Sequence, residues 1–231
     1  MNTQFEPAPL LLEEHLEECN SYSRPEFPER ETNYFQRYSD IKGWLTKRHF
    51  RDADAGLSAD DKNRYTHHDL GHVLDVIEMA GNILTTDDNR LDLSGYEAYI
   101  LLTAILLHDS GNSQGRSGHE KKAHKIITDM GDISGNDSVE KKLIAQIATA
   151  HGGSFNIGSE ETKDTIGNLL SEKESMFSSG RIKVRSRALA SILRLADELS
   201  ERKSRANTAA VEDANAEQSE GLKPDVIHNL Y

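Results

Sequence analysis

His72, the adjacent pair His108-Asp109 and Asp197 each interrupt an apolar, helix-patterned stretch. An imidazole or carboxylate in such a place needs a partner to offset its desolvation. Imidazole nitrogen and carboxylate oxygen together suit a divalent cation such as Mn, Fe, Ni, Zn or Mg, which would be that partner. His68 and His72 stand four residues apart, so a helix projects both from one side; ordinary surface or capping roles fit that spacing as well. The uncharged run LLTAILL leads directly into His108-Asp109, delivering the pair at the end of a buried helix. A lone carboxylate there is destabilising or must protonate, unless Asp109 accepts N–H groups from the turn Ser110-Gly111-Asn112. Asp197 lies at the margin of the face formed by Ala188, Leu189, Ile192, Leu195, Ala196 and Leu199; pairing with Arg194 is its simpler role. His151 follows LIAQIATA, another apolar stretch ending in a ligand-capable residue, and His119 opens GHEKKAHKII beside Glu120.

The elements that must position these residues read as helices. Tyr65 to Leu84 places Val73, Val76, Ile77, Ala80 and Leu84 on one face. Leu91–Leu107 reads as a helix buried nearly all round, stopped by Gly111 and the polar stretch 110–118. Further helices are expected at 119–130, 138–150, 161–176 and 186–201, and one turns inward from Asp40 with Ile41, Trp44 and Leu45. Only RIKVR, 181–185, alternates like a strand. Four of the five prolines fall before residue 38, so 1–39 reads as an irregular arm with a short helix over Leu10–Glu18. The expected architecture is all-α: a compact multi-helix bundle over 40–205, flanked by that arm and a polar tail over 206–231. The glycine-flanked, polar stretch 152–180 reads equally as a lid or as an ordinary connection.

Composition narrows the function classes. A chain of 231 residues can bury roughly 70% of its unfolded surface. Its 27 Lys+Arg against 39 Asp+Glu leave −12, which disfavours general affinity for nucleic acid or anionic membrane. Cys19 is the single cysteine, excluding an internal disulfide and a cysteine-based zinc site. No apolar run reaches the length of a membrane span, and the N-terminus lacks the pattern of a secretory signal; a cytoplasmic protein is expected. GxxxxGK[ST], GxGxxG and GxSxG are absent, which disfavours ATP-driven, dinucleotide-dependent and serine-hydrolase chemistry.

Three blocks then stand out together: Tyr65-Thr-His67-His68-Asp-Leu-Gly-His72-Val-Leu-Asp-Val76, Leu106-Leu107-His108-Asp109-Ser-Gly111-Asn112, and Leu193-Arg-Leu195-Ala196-Asp197-Glu198-Leu199. In order and spacing they resemble the motifs of the HD superfamily of metal-dependent phosphohydrolases, over about residues 62–202. The resemblance implies an HD-domain helical bundle in which His72, His108, Asp109 and Asp197 hold one divalent metal. It also implies that Asp109 can bridge to a second ion supported by His119 and His151. His68, one turn before the first ligand, takes the place of a general acid in phosphodiesterase-like members, and Asp109 both binds metal and orients the nucleophile. The Gly-Tyr-Pro signature of one cyclic-dinucleotide branch is missing and Asn112 stands where that branch has lysine, so that branch is disfavoured.

A phosphorylated substrate, a nucleotide or another small phosphate ester, needs cations besides the metal. Arg116, in SGNSQGRSGHE, and Arg185, in the basic run Arg181, Lys183, Arg185, Arg187, are the candidates; a solvated basic face is the alternative for that run. The expected function is hydrolysis of such an ester through a metal-activated water. The rival is a non-catalytic ligand-sensing or partner-binding module that keeps the metal pocket, and homo-oligomerisation is left open.

Overall fold

Ser94 starts the helix that organises the molecule. Its hydroxyl accepts from the Glu97 backbone N–H at 3.2 Å, and the Glu97 carboxylate accepts from the Ser94 N–H at 3.3 Å. This reciprocal cap satisfies two amide donors that the first turn leaves without partners. In the computed structural model, which describes residues 11–22, 24–50, 70–85, 91–110, 122–152, 155–157, 160–178 and 180–200, the capped helix runs Gly95–Leu107 and every one of its residues is buried. Numbered in chain order it is α4. Around it stand α1 (Leu11–Tyr22), α2 (Tyr34–Leu45), α3 (Leu70–Leu84), α5 (Ala123–Asp129), α6 (Ser138–Thr149), α7 (Thr165–Leu169) and α8 (Ser186–Leu199). Helices α1, α2 and α6 lie along α4, and α3 packs on α8, which also touches α4 and α6. The architecture is all-α, as expected. Among the described residues no helix is long and apolar enough to cross a membrane.

From Leu11 on, the N-terminal segment has the short helix expected over Leu10–Glu18, extended to Tyr22. It is packed into the core and is not an irregular arm; residues 1–10 lie outside the described residues. Leu12 and Leu16, one turn apart on α1, are fully buried. At Gly95, an added Cβ would come within 2.5 Å of the Cys19 Cβ, so α1 meets α4 at a backbone distance only glycine allows. Pro25 sits in a 3-10 turn, Arg24–Glu26. Beyond it Phe27 stacks on Tyr34 with centroids 4.8 Å apart, and Asn33 caps α2 by accepting from the Gln36 N–H at 2.8 Å. Pro25 and Pro28 fall between α1 and α2 and do not prevent either helix.

The helix expected over 161–176 is also replaced. β1 (Phe155–Ile157) pairs antiparallel with β2 (Glu160–Thr162), then comes the short α7, then β3 (Ser175–Phe177) pairs with β4 (Ile182–Val184). In β4 the burial alternates, with Ile182 and Val184 inward, and Phe177 of β3 meets Tyr96 edge-on at 5.3 Å. Period-two burial wins in this hairpin because Phe177 of β3 and Ile182 and Val184 of β4 reach the core. Hydrogen bonds from Thr165 Oγ1 to the Ala150 carbonyl (2.8 Å) and from Arg187 to the Gly167 and Leu170 carbonyls (both 3.0 Å) fasten α7 to its neighbours.

Candidate metal centre

Four segments bring their chemistry to one place. His72 comes from the first turn of α3, His108 caps α4 and Asp109 follows it, His151 lies just past α6, and Asp197 sits in the last turn of α8. Two of these histidines are set in the same way. His108 Nδ1 donates to the Ile105 carbonyl at 2.6 Å, and His151 Nδ1 donates to the Ala148 carbonyl at 2.5 Å. Each ring therefore satisfies a carbonyl that the end of its own helix leaves without an amide partner. The same bond places the proton on Nδ1 and turns the Nε2 lone pair toward the cluster, as metal-ligating histidines require.

The facing atoms lie close together. His72 Nε2 is 3.0 Å from Asp197 Oδ1 and 3.7 Å from Asp109 Oδ2. His108 Nε2 is 3.3 Å from Asp109 Oδ2, 3.6 Å from Asp197 Oδ1 and 3.3 Å from His72 Nε2. His151 Nε2 approaches the other oxygen of the same carboxylate, Asp109 Oδ1, at 3.9 Å. Donor atoms about 2.1 Å from a shared ion lie about 3.0 Å apart at octahedral cis positions and about 3.4 Å apart at tetrahedral ones. The spacings of the His72, His108, Asp109 and Asp197 atoms bracket both. His72, His108 and Asp109 alone, all buried, already group their ligand atoms within 4.8 Å of one another.

The electrostatics agree with the geometry. Two imidazole nitrogens at 3.3 Å, flanked by two carboxylates, repel unless a cation or a proton lies among them. Burial pushes the His108 imidazole down, yet Asp109 and Asp197 outweigh it and hold this ring well above the usual histidine range. His151 is pushed down by its burial and by the charge of His108. Burial opposes ionisation of Asp197, but hydrogen bonds from His108 and His72 hold its carboxyl far below the usual carboxylate range. The two carboxylates thus favour positive charge here, and the donor set fits a divalent ion. Asp197, with 22% of its side chain exposed against 5% for Asp109 and none for His72 and His108, marks the side open to solvent.

Not every expected residue joins the cluster. Arg185 is expected at a substrate phosphate, but its guanidinium bonds Glu97 at 2.8 and 2.9 Å and the Asp92 carbonyl at 2.8 Å. That is the start of α4, about 18 Å of helix rise from His108. Its neighbours are engaged too: Arg187 with α7, and Lys183 with Glu174 at 3.3 Å. His68, Arg116 and His119 lie outside the described residues. The structure adds one residue that the sequence patterns did not single out. His49, in the π-helical turn Thr46–Phe50 after α2, approaches the Ser110 carbonyl through Nδ1 at 3.2 Å. No apolar run leads into TKRHF, so nothing in its local sequence marks it.

No curated protein and no solved structure matches the chain significantly. The sequence model of the HD-CE family matches residues 63–217 of the 231. That span holds every member of the cluster and leaves α1, α2 and His49 outside. With two thirds of its length matched and the histidine-aspartate couplet at the centre of the fold, the chain belongs to the HD-CE family.

Proposed function

We propose that this protein is a metal-dependent phosphohydrolase that cleaves a nucleotide or another small phosphate ester with water. One observation carries the reading: imidazole nitrogens and carboxylate oxygens from four segments converge to 3.0–3.9 Å of one another, most of them buried. Such a donor set suits a divalent cation. His72, His108, Asp109 and Asp197 would hold the ion. The two oxygens of Asp109 face different neighbours, Oδ2 toward His72 and His108 and Oδ1 toward His151, which suits a carboxylate shared between two ions. The chemistry such an ion supplies is acidification of a water and polarisation of a phosphoryl oxygen.

The protein's own groups do the rest. The helix-end carbonyls of Ile105 and Ala148 lock the two imidazoles in one tautomer, so no reorganisation is needed during the reaction. Leu107, Ala150 and Ala196, next to His108, His151 and Asp197 in sequence, are all buried, and charges held in such surroundings act more strongly than in water. Asp197, on the open side, meets the incoming substrate first. His68 is the proposed proton donor to the leaving oxygen and Arg116 the proposed phosphate contact, both from their places in the sequence blocks around His72 and His108.

The test is turnover of p-nitrophenyl phosphate, bis-p-nitrophenyl phosphate and a nucleotide panel with Mn²⁺, before and after chelation. Activity should appear with metal and drop by more than about 10²-fold in Asp109→Ala, since a direct ligand matters at least as much as the outer partners that tune it. Tight Mn²⁺ binding without turnover of any ester would instead assign the pocket to ligand sensing or to structure.

A further inference from the structure

The HD-CE match begins at residue 63, yet a residue from before it reaches the turn directly after the couplet. His49 Nδ1 lies 3.2 Å from the carbonyl of Ser110, the residue directly after Asp109. A carbonyl only accepts, so the imidazole donates and carries its proton on Nδ1. Helix α4 ends at Leu107, and the backbone from His108 to Ser110 must hold its course without the helical ladder while it aims the Asp109 carboxylate. Ser110 is buried, and its hydroxyl turns back to the Leu107 carbonyl at 2.9 Å. The His49 bond anchors the other end of the same short turn.

The imidazole is itself held. Trp44 stacks on it with ring centroids 5.3 Å apart and planes 27° from parallel. The Arg48 guanidinium covers the Trp44 ring at 4.6 Å, a cation–π contact. Arg48, Trp44 and His49 thus form a stack that starts on α2 and ends at the Ser110 carbonyl, one residue past the couplet.

We infer that His49 is a positioning residue for the metal centre: by bonding the Ser110 carbonyl it fixes the turn that directs Asp109, and so couples the N-terminal helices to metal affinity. This rests on the metal reading above. A bland alternative is that His49 is a tertiary contact like any other, contributing to stability and nothing more.

Two substitutions separate the possibilities. His49→Phe keeps a ring against Trp44 but removes the donor; His49→Asn gives up the ring and keeps an N–H near the position of Nδ1. Mn²⁺ affinity by titration calorimetry should fall about 10- to 100-fold in His49→Phe, the range for lost outer partners of metal ligands. It should stay within about threefold of the wild type in His49→Asn. Trp44 is the single tryptophan, so its emission should change on adding Zn²⁺ to the wild type and respond only weakly in His49→Phe. Melting temperatures of the chelated proteins establish that all three are folded. If His49→Phe binds Mn²⁺ as tightly as the wild type, or if both variants lose affinity equally, the positioning role is wrong. Failure of the wild type to bind Mn²⁺ at all overturns the metal reading, and this inference with it.

Discussion

Helices α4 and α6 each carry a buried polar cluster at both ends, and the two clusters obey different rules. At their C-terminal ends His108, Asp109 and His151 meet His72 and Asp197. At their N-terminal ends Glu140 accepts from Tyr96 at 2.6 Å and Tyr99 at 3.3 Å, with Arg37 at 3.5 Å. The Glu140 cluster is complete: one carboxyl, two phenol donors and one guanidinium, itself tied to Glu29 at 3.1 Å. The His108 cluster differs in kind: its imidazoles bond Asp197 through Nε2 only while those nitrogens carry a proton, which a divalent ion would replace. A carboxyl surrounded by its own donors supports the fold, and imidazoles grouped with carboxylates offer a divalent ion its ligands. The same two helices do both jobs, one at each end.

Removing a carboxylate from each cluster should therefore have opposite consequences. Asp109→Ala should weaken Mn²⁺ binding by more than about 10³-fold, well beyond the loss of an outer partner. The same variant should abolish the rise in melting temperature that saturating metal gives the wild type. Its chelated form should stay within about 1 kcal/mol of the chelated wild type, because one of two mutually repelling carboxylates is gone. Glu140→Ala should leave metal affinity alone and strand two phenols and a guanidinium. That costs about 3–5 kcal/mol, or roughly 6–20 °C in melting temperature for a chain of this size. Calorimetric titration and thermal melts of both variants settle it. A metal-free Asp109→Ala as unstable as Glu140→Ala would erase the distinction between the two ends.

The clusters also differ in how far the sequence reveals them. His108, Asp109 and His151 stand out because each follows an uncharged run, and Asp197 because it lies at the margin of an apolar helical face. Glu140 sits in SVEKKLI among other charges and reads as solvent-exposed. Only the approach of α2 and α4 buries it, and no local pattern encodes that approach. For the same reason Tyr34 and Tyr38 look like part of a polar arm until their burial in the core is seen. Strand β4 falls within RIKVR, the one stretch that alternates, whereas its partner β3 escaped because a three-residue strand is too short for alternation to outweigh helical composition. Arg185 misled in the opposite direction. A basic run near a ligand helix suggests phosphate, yet the carboxylates that neutralise it lie about ninety positions earlier in the chain.

Acidity offers a second way to separate the two ends. Burial raises the Glu140 carboxyl from 4.5 to about 7, although Tyr96 and Arg37 pull it down. Between those two pH values the folded state holds a proton that the unfolded state has lost. This contribution is therefore complete below pH 4.5 and disappears as pH rises to 7. The full span is about 3 kcal/mol. Glu140→Gln keeps a group of the same size that cannot ionise. Urea unfolding should find it lagging the wild type by the same margin at every pH below 4.5, then gaining steadily up to about pH 7. Parallel stability curves for the two proteins across pH 4.5–8 would mean that Glu140 stays charged and that its partners compensate its burial fully.

Arg185 is the smallest and sharpest probe of which polar contacts belong to the fold. It holds Glu97, whose side chain is only 5% exposed, while its own is 39% exposed. The Glu97 carboxyl sits below its ordinary range because bonds from the Arg185 side chain and backbone, and from Ser94, overcome its burial. The backbone N–H of residue 185 persists in Arg185→Ala, so Glu97 keeps one bond from this position and its cap to Ser94. The loss should be about 1–2 kcal/mol, between that of an exposed pair and a buried one. Mn²⁺ affinity and ester turnover should remain within twofold, since the guanidinium works at the end of α4 far from His108. A variant that melts like the wild type but loses turnover tenfold would return Arg185 to the substrate and break the division of labour along α4.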